Sequence, residues 1–284
     1  MTLSEINKIS IAEICVYVPA LLIASFLAFR HGFGRSAGWL YLILFSLCRI
    51  IGAAFDLASI SDPTNTNLYV GYFTLQSIGL GPLILVMLGL LTRVLESVTR
   101  ATRGKQGSGP LVNQRNLRIV QVVVMVALIL GIVGGTEVGD QISDVASGES
   151  SSYSMPMESK AGVALMIAGY GLLVLAAASV GAHSLGDVEQ GEKRLLGAIF
   201  LALPFVLVRL IFSGLSTFTS NPNFRLIGGS ASYPDYFLGM SVVMEMAAIT
   251  VFEAVGLSLQ QRPKEGGRSI PMTRYGGLPS RESA

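Results

Sequence analysis

WLYLILFSLCRIIGAAFDLAS (Trp39–Ser59) is an almost unbroken apolar run with Arg49 at its centre and Asp56 two turns further on. About 20 such residues in helix span a hydrocarbon core ~30 Å thick. A charged side chain at the middle of a membrane helix costs ~2.5–3.5 kcal/mol on insertion scales, so it is normally turned toward other helices or a water-filled space. The stretch therefore sets two expectations. It is a membrane helix, and one side of it faces a polar interior.

The rest of the chain repeats this pattern. Of 284 residues, 51% are hydrophobic and 13% charged, against about 25% charged in a typical soluble domain. Apolar blocks predict seven spans: Ile9–Phe29, Gly38–Ile60, Leu68–Leu91, Ile119–Gly135, Gly162–Val180, Leu195–Phe218 and Tyr236–Leu259. The leader MTLSEINK is not basic, and the run after it is too long for a signal-peptide core, so the first block is expected to be a retained helix. The expected fold is all-α: a polytopic bundle of seven transmembrane helices over residues 1–259. A disordered cytoplasmic tail, residues 260–284, rich in Gly, Pro and Arg, is expected to follow it. The segment Arg93–Arg118 reads as a basic loop, and Thr136–Ser159, which contains SGESSSYS, as an acidic, serine-rich one.

Lys and Arg are concentrated on the cytoplasmic side of membrane proteins. With the N-terminus outside, 15 of them fall in cytoplasmic loops and the tail, and only Lys8, Lys160 and Arg225 face out. An N-out, C-in topology is expected, and the span lengths favour a plasma membrane over a thinner one. The net charge of +2 comes from short loops and the tail, so no nucleic-acid partner is expected. The basic loop and tail are candidate contacts for anionic lipid or a cytoplasmic partner.

Arg49, Arg209, Glu13, Asp56, Glu245 and Glu253 all lie within spans. With ~1.5 Å of rise per residue, Arg49 sits near the midplane, and Arg209 and Glu245 ~4 Å outward of it. Glu13 and Asp56 fall ~10 Å outward, and Glu253 ~8 Å inward, near the interface. Arg209 and Glu245 thus share a level and can pair, and Arg49 can take Glu13, Glu245 or Asp56. The candidate substrate-binding set is Arg49, Asp56, Arg209, Glu245, Glu13 and Gln76, the last a polar side chain of span three. The competing reading is a closed ion-pair network that only fixes packing.

Pro19, Pro82 and Pro204 each remove a backbone hydrogen bond inside a span. Pro82, in GLGPL (Gly79–Leu83), and Pro204, five residues before Arg209, mark candidate kinks beside polar groups. FSLCRII (Phe45–Ile51) and FVLVRLI (Phe205–Ile211) share an arginine in the same setting. That likeness is compatible with a 3+1+3 parallel repeat, spans one to three and five to seven joined by span four.

Several function classes lose their support. Cys15 and Cys48 lie in apolar runs, and His31 and His183 stand alone in loops, so neither a disulfide scaffold nor a metal site is expected. Span seven has no lysine for a retinal Schiff base and no N-P-x-x-Y, and span three has no D-R-Y. H-E-x-x-H and D-D-x-x-D are absent. GFGRSAG (Gly32–Gly38) departs from G-x-G-x-x-G and follows a membrane helix, so it reads as a tight cytoplasmic turn, or a headgroup contact. No cofactor is expected.

RHGFGRSAGWLYLILFSLCRIIGAAFDL (Arg30–Leu57), ALPFVLVRLIFSGLSTF (Ala202–Phe218) and MEM (Met244–Met246) resemble a family of filamentous-fungal seven-helix membrane proteins known as a domain of unknown function. The resemblance covers about Ile9 to Leu259 and implies a fungal source and an N-out topology. The layout is also similar, more faintly, to fungal lipid-translocating exporter-like proteins, whose sixth and seventh helices carry Arg and Glu. Three functions stay open. The first is binding or translocation of an amphipathic small molecule or lipid through a charged intrabundle cavity. The second is a seven-helix sensor or receptor, with ligand outside and partners at the basic loop and tail. The third is a membrane-embedded cyclase or isomerase of fungal secondary metabolism, with Glu13, Asp56 or Glu245 as proton donor.

Overall fold

The computed structural model of the chain describes residues 4–31, 37–62, 65–102, 113–147, 154–184, 190–225 and 230–259. The tail expected to be disordered, most of the GFGRSAG turn, residues 103–112 of the basic loop and residues 148–153 of the acidic one lie outside these residues. Every regular element among the described residues is a helix: α1 (Glu5–His31), α2 (Ala37–Ser59), α3 (Thr66–Ile78), α4 (Leu80–Thr102), α5 (Gln114–Ser147), α6 (Met157–Ser184), α7 (Gln190–Phe218), α8 (Tyr233–Phe237) and α9 (Val243–Ser258). A 3₁₀ turn (Pro222–Phe224) precedes α8, and a π turn (Leu238–Val242) joins α8 to α9. Among the described residues seven helical stretches are long and apolar enough to cross a membrane, so the chain is built as a multi-pass membrane protein.

Span three is two helices. α3 and α4 meet at Gly79, and Pro82 explains the position of the break. A proline ring clashes with the carbonyl four residues earlier, here that of Ile78, the last residue of α3. Pro19 and Pro204, by contrast, sit inside α1 and α7 without interrupting them.

The break separates two environments. α3 packs on α2 and α5, whereas α4 packs on α2, α5, α6 and α7. The remaining contacts close a ring in the order α1, α2, α3, α5, α6, α7, α9 and back to α1. Span three therefore starts as a member of the ring and ends as its centre. It is the most buried span, with 83% of its most apolar window enclosed against 28% for the α5 span. Two glycines of α5 hold α3 in the ring. A Cβ on Gly139 would come within 2.7 Å of the Val70 backbone, and one on Gly135 within 3.0 Å of Thr74 Cα, so the two backbones are in direct contact. With α3 pulled aside, the middle of the bundle is filled less completely at that end, which is the end where α1 begins.

The expected spans are present, but their ends are corrected. α4 continues to Thr102 and α5 to Ser147, so much of both expected loops is helix. Thr136, Glu137 and Asp140 extend α5 past its apolar block. Hydropathy detects the part of a helix that lies in hydrocarbon and is blind to a polar continuation that satisfies its own backbone.

Candidate functional site

Glu245 lies in the first turn of α9, directly after the π turn, and its Oε1 accepts two charged hydrogen bonds. Arg49 Nη2 of α2 donates at 2.5 Å and Arg209 Nε of α7 at 2.5 Å. The pair expected between Arg209 and Glu245 is present, and Arg49 chooses the same carboxylate. The Arg49 and Glu245 side chains are 1% and 0% exposed, so this pairing is dry. Breaking such a pair on one side costs about 3–5 kcal/mol, because the other charge stays buried alone.

Each arginine has its own support. The Arg49 guanidinium lies 5.5 Å from the centre of the Phe45 ring, and Tyr17 meets Phe45 edge-on at 5.7 Å. On its other side it presses against Gly79, where a Cβ would sit 2.5 Å from Arg49 Cζ. The junction of span three is therefore also the slot for Arg49. Arg209 donates from Nη1 to Ser213, one turn along α7, and lies 5.9 Å from the Phe212 ring. The Phe205 that matches Phe45 in the sequence is not the ring over Arg209.

Glu13 of α1 is 2% exposed and lies in the field of Arg49, Glu245, Asp56 and Arg209. Its Oε1 has no hydrogen-bond partner among the described residues. Asp56 is half-buried and accepts from Ser10 Oγ at 2.7 Å, which ties α2 to α1 away from the arginines. Glu253, expected near the interface, is buried, and its Oε1 has no partner among the described residues.

A cavity of about 160 Å³ occupies the space that α3 leaves open. Its wall comes from α3, the start of α4, α5, α6 and α7 and is capped by the 3₁₀ turn, Arg225 and α8. An engineered cavity of about this size binds benzene. Arg209 and Gln76 line it; Arg49, Glu245, Glu13 and Asp56 do not. The expected site is thus divided. Arg209 is the link, with one edge on Glu245 and the other on the cavity.

Two features escaped the sequence reading. Arg93, in the segment expected to be a basic loop, is 7% exposed, and its Nε donates to Glu192 Oε1 of α7 at 3.3 Å. The visible signal was a charge beside apolar residues on both helices, in LLTRVLES and in QGEKRLLG. The cavity wall had weaker signals. Ser213, Ser216 and Thr217 follow Arg209 at helical spacing, and Arg225 stands in the sequence as an isolated charge between spans six and seven. No group of three or more His, Cys, Asp or Glu is placed to hold a metal ion among the described residues.

The chain belongs to the family described as Domain of unknown function (DUF7702), whose model matches residues 3–262. It matches no curated protein and no solved structure.

Proposed function

We propose that this member of the family binds an amphipathic small molecule or lipid in the cavity beside Arg209 and serves its passage across or along the membrane. The observation that carries the reading is the cavity itself: apolar and aromatic over most of its wall, it reaches an intramembrane arginine at its base. Ligand sites are commonly concave and apolar with a few placed polar groups, and intramembrane charges by default mark sites or pathways. In this reading Arg209 and Gln76 meet the ligand. Arg49, Glu245 and Glu13 hold Arg209 in place, and Asp56 fixes α1 against α2.

The N-out, C-in orientation belongs to the same proposal and puts the cavity in the outer half of a plasma membrane. Glycosylation acceptors introduced before α1 and after α9 would report it, with modification expected only before α1. A fungal source and the 3+1+3 repeat also remain part of the proposal; they rest on sequence likeness alone.

Gly131 supplies the test of binding. It lines the cavity, and among the described residues a Cβ there meets nothing within 4 Å. Gly131→Trp should therefore fill the cavity with little strain. A diazirine-bearing amphiphile reconstituted with the protein should crosslink saturably to cavity residues of α3, α5 and α7, and Gly131→Trp should abolish this. Crosslinks confined to the lipid-facing surface, or unchanged in Gly131→Trp, would refute the reading.

A further inference from the structure

The cavity wall has a one-sided chemistry. Among the described residues it contains Arg209 and Arg225 and no carboxylate. A guanidinium has five N–H donors. Arg209 spends one on Glu245 and one on Ser213, and the other three find no acceptor among the described residues. Gln76 Nε2, also at the wall, is buried with no partner among the described residues. Ser77 and Ser216 direct their hydroxyls to backbone carbonyls of their own helix, Phe73 and Ser213. Donors are in surplus, and unmet buried donors are costly. Glu245, the carboxylate that Arg209 binds, lies outside the wall and is shared with Arg49.

The rings of Tyr72, Phe212, Phe224, Tyr233 and Phe237 are part of the apolar wall, with aliphatic and methionine side chains beside them. Aromatic faces alone would attract a cation. The Arg209 guanidinium in the same wall opposes that and leaves the rings as a surface for an uncharged body. An arginine fork suits a planar carboxylate in particular.

We infer that the ligand is a monocarboxylate with a compact apolar body, its head on the free guanidinium edge of Arg209 and the Gln76 amide, its body among the rings. This rests on the cavity being a binding site, as proposed above, and adds the charge and size of what enters it. An aromatic acid and a medium-chain fatty acid share this chemistry.

The test uses the full chain in nonionic detergent and measures affinity by calorimetry. The probes are phenylacetate and octanoate, the matched amides, and the matched amines 2-phenylethylamine and octylamine. At least one acid should bind about ten-fold or more tightly than its amide, because a hydrogen bond to a charged group is roughly twice as strong as a neutral one. The amines should bind more weakly still. Gln76→Leu stands outside the ion-pair cluster, so the protein should stay folded. It should weaken the acid several-fold, and the amide by less, since the bond lost to a neutral carbonyl is the weaker one. The tighter of the two acids identifies the source, aromatic or fatty. Amide or amine binding as tight as the acid would overturn the inference, as would failure of both acids to bind. Should the amphiphile still crosslink in the cavity, the binding function would survive that failure; should it not, both readings fall.

Discussion

Gly79→Ala offers a sharp test of how span three and the charge cluster depend on one another. An added Cβ would lie 2.5 Å from Arg49 Cζ, 3.0 Å from Nε and closer still to Nη2. Non-bonded heavy atoms settle at about 3.5–4.0 Å, so the guanidinium must retreat by roughly 1 Å. Its Nη2 now stands 2.5 Å from Glu245 Oε1, and a retreat of that size stretches the bond to the edge of hydrogen-bonding range. Losing one partner of a buried pair costs about 3–5 kcal/mol. The low end applies, since Glu245 keeps Arg209. Alanine returns at most ~1 kcal/mol of helix propensity. The net expectation is a loss of about 2–3 kcal/mol, read as a shift of the unfolding midpoint in an SDS titration. In an Arg49→Ala background the new methyl has room, and Gly79→Ala should cost little. The cycle should return a coupling of about 2 kcal/mol, within the range for residues in contact. A Gly79→Ala protein as stable as the parent, or one that loses the same amount without Arg49, would falsify this account of the helix break.

Glu245→Gln removes the shared anion from two arginines whose side chains are at most 5% exposed. It should lower stability by at least ~3–5 kcal/mol and more than Arg49→Ala does; the reverse order in unfolding midpoints would contradict the shared pairing. Arg93 and Glu192 are both buried, so a double-alanine cycle should show coupling of ~0.5–3 kcal/mol. Strict additivity in the same unfolding assay would mean that the pair does not fasten α4 to α7. A Cβ on Gly256 would lie 2.8 Å from Leu27 Cδ1 and run into the Trp39 ring. Gly256→Ala should accordingly cost about 1–3 kcal/mol by overpacking, and an unchanged melting temperature would place α9 further from α2.

The bundle was legible because hydrocarbon imposes a length and a composition on every helix that crosses it. The interior face of α2 was legible from Arg49 alone, and depth along a regular helix was enough to bring Arg209 to Glu245. Depth failed for Asp56, whose partner Ser10 is a small hydroxyl that carries no charge signal. The break in span three was marked by glycine and proline, although only the geometry connects Gly79 to the Arg49 side chain. The π turn before Glu245 had no comparable mark. LGMSV contains no proline, and the wide turn is defined by the bond from Val243 N–H to the Leu238 carbonyl. The cavity was the least legible feature. It exists because α3 is drawn to α5 through Gly135 and Gly139, and such close backbone approaches depend on which helices become neighbours. The buried Arg93–Glu192 pair was hidden for a different reason: both residues lie where apolar blocks give way to charge, and there a snorkelling side chain and a paired one look alike.

The most direct test of the central claim is thiol accessibility at Ser216→Cys with Cys15 and Cys48 replaced by alanine. Ser216 lines the cavity, and its hydroxyl donates to the Ser213 carbonyl of its own helix, so the change is local. Membrane-impermeant methanethiosulfonates bearing a sulfonate or a trimethylammonium group would be applied to either side of sealed vesicles. A cation-lined cavity in the outer half predicts modification from the side that holds the N-terminus. It also predicts that the sulfonate is favoured over the ammonium, relative to the same two reagents at an exposed control cysteine. No modification from either side, or a preference for the ammonium, would contradict it.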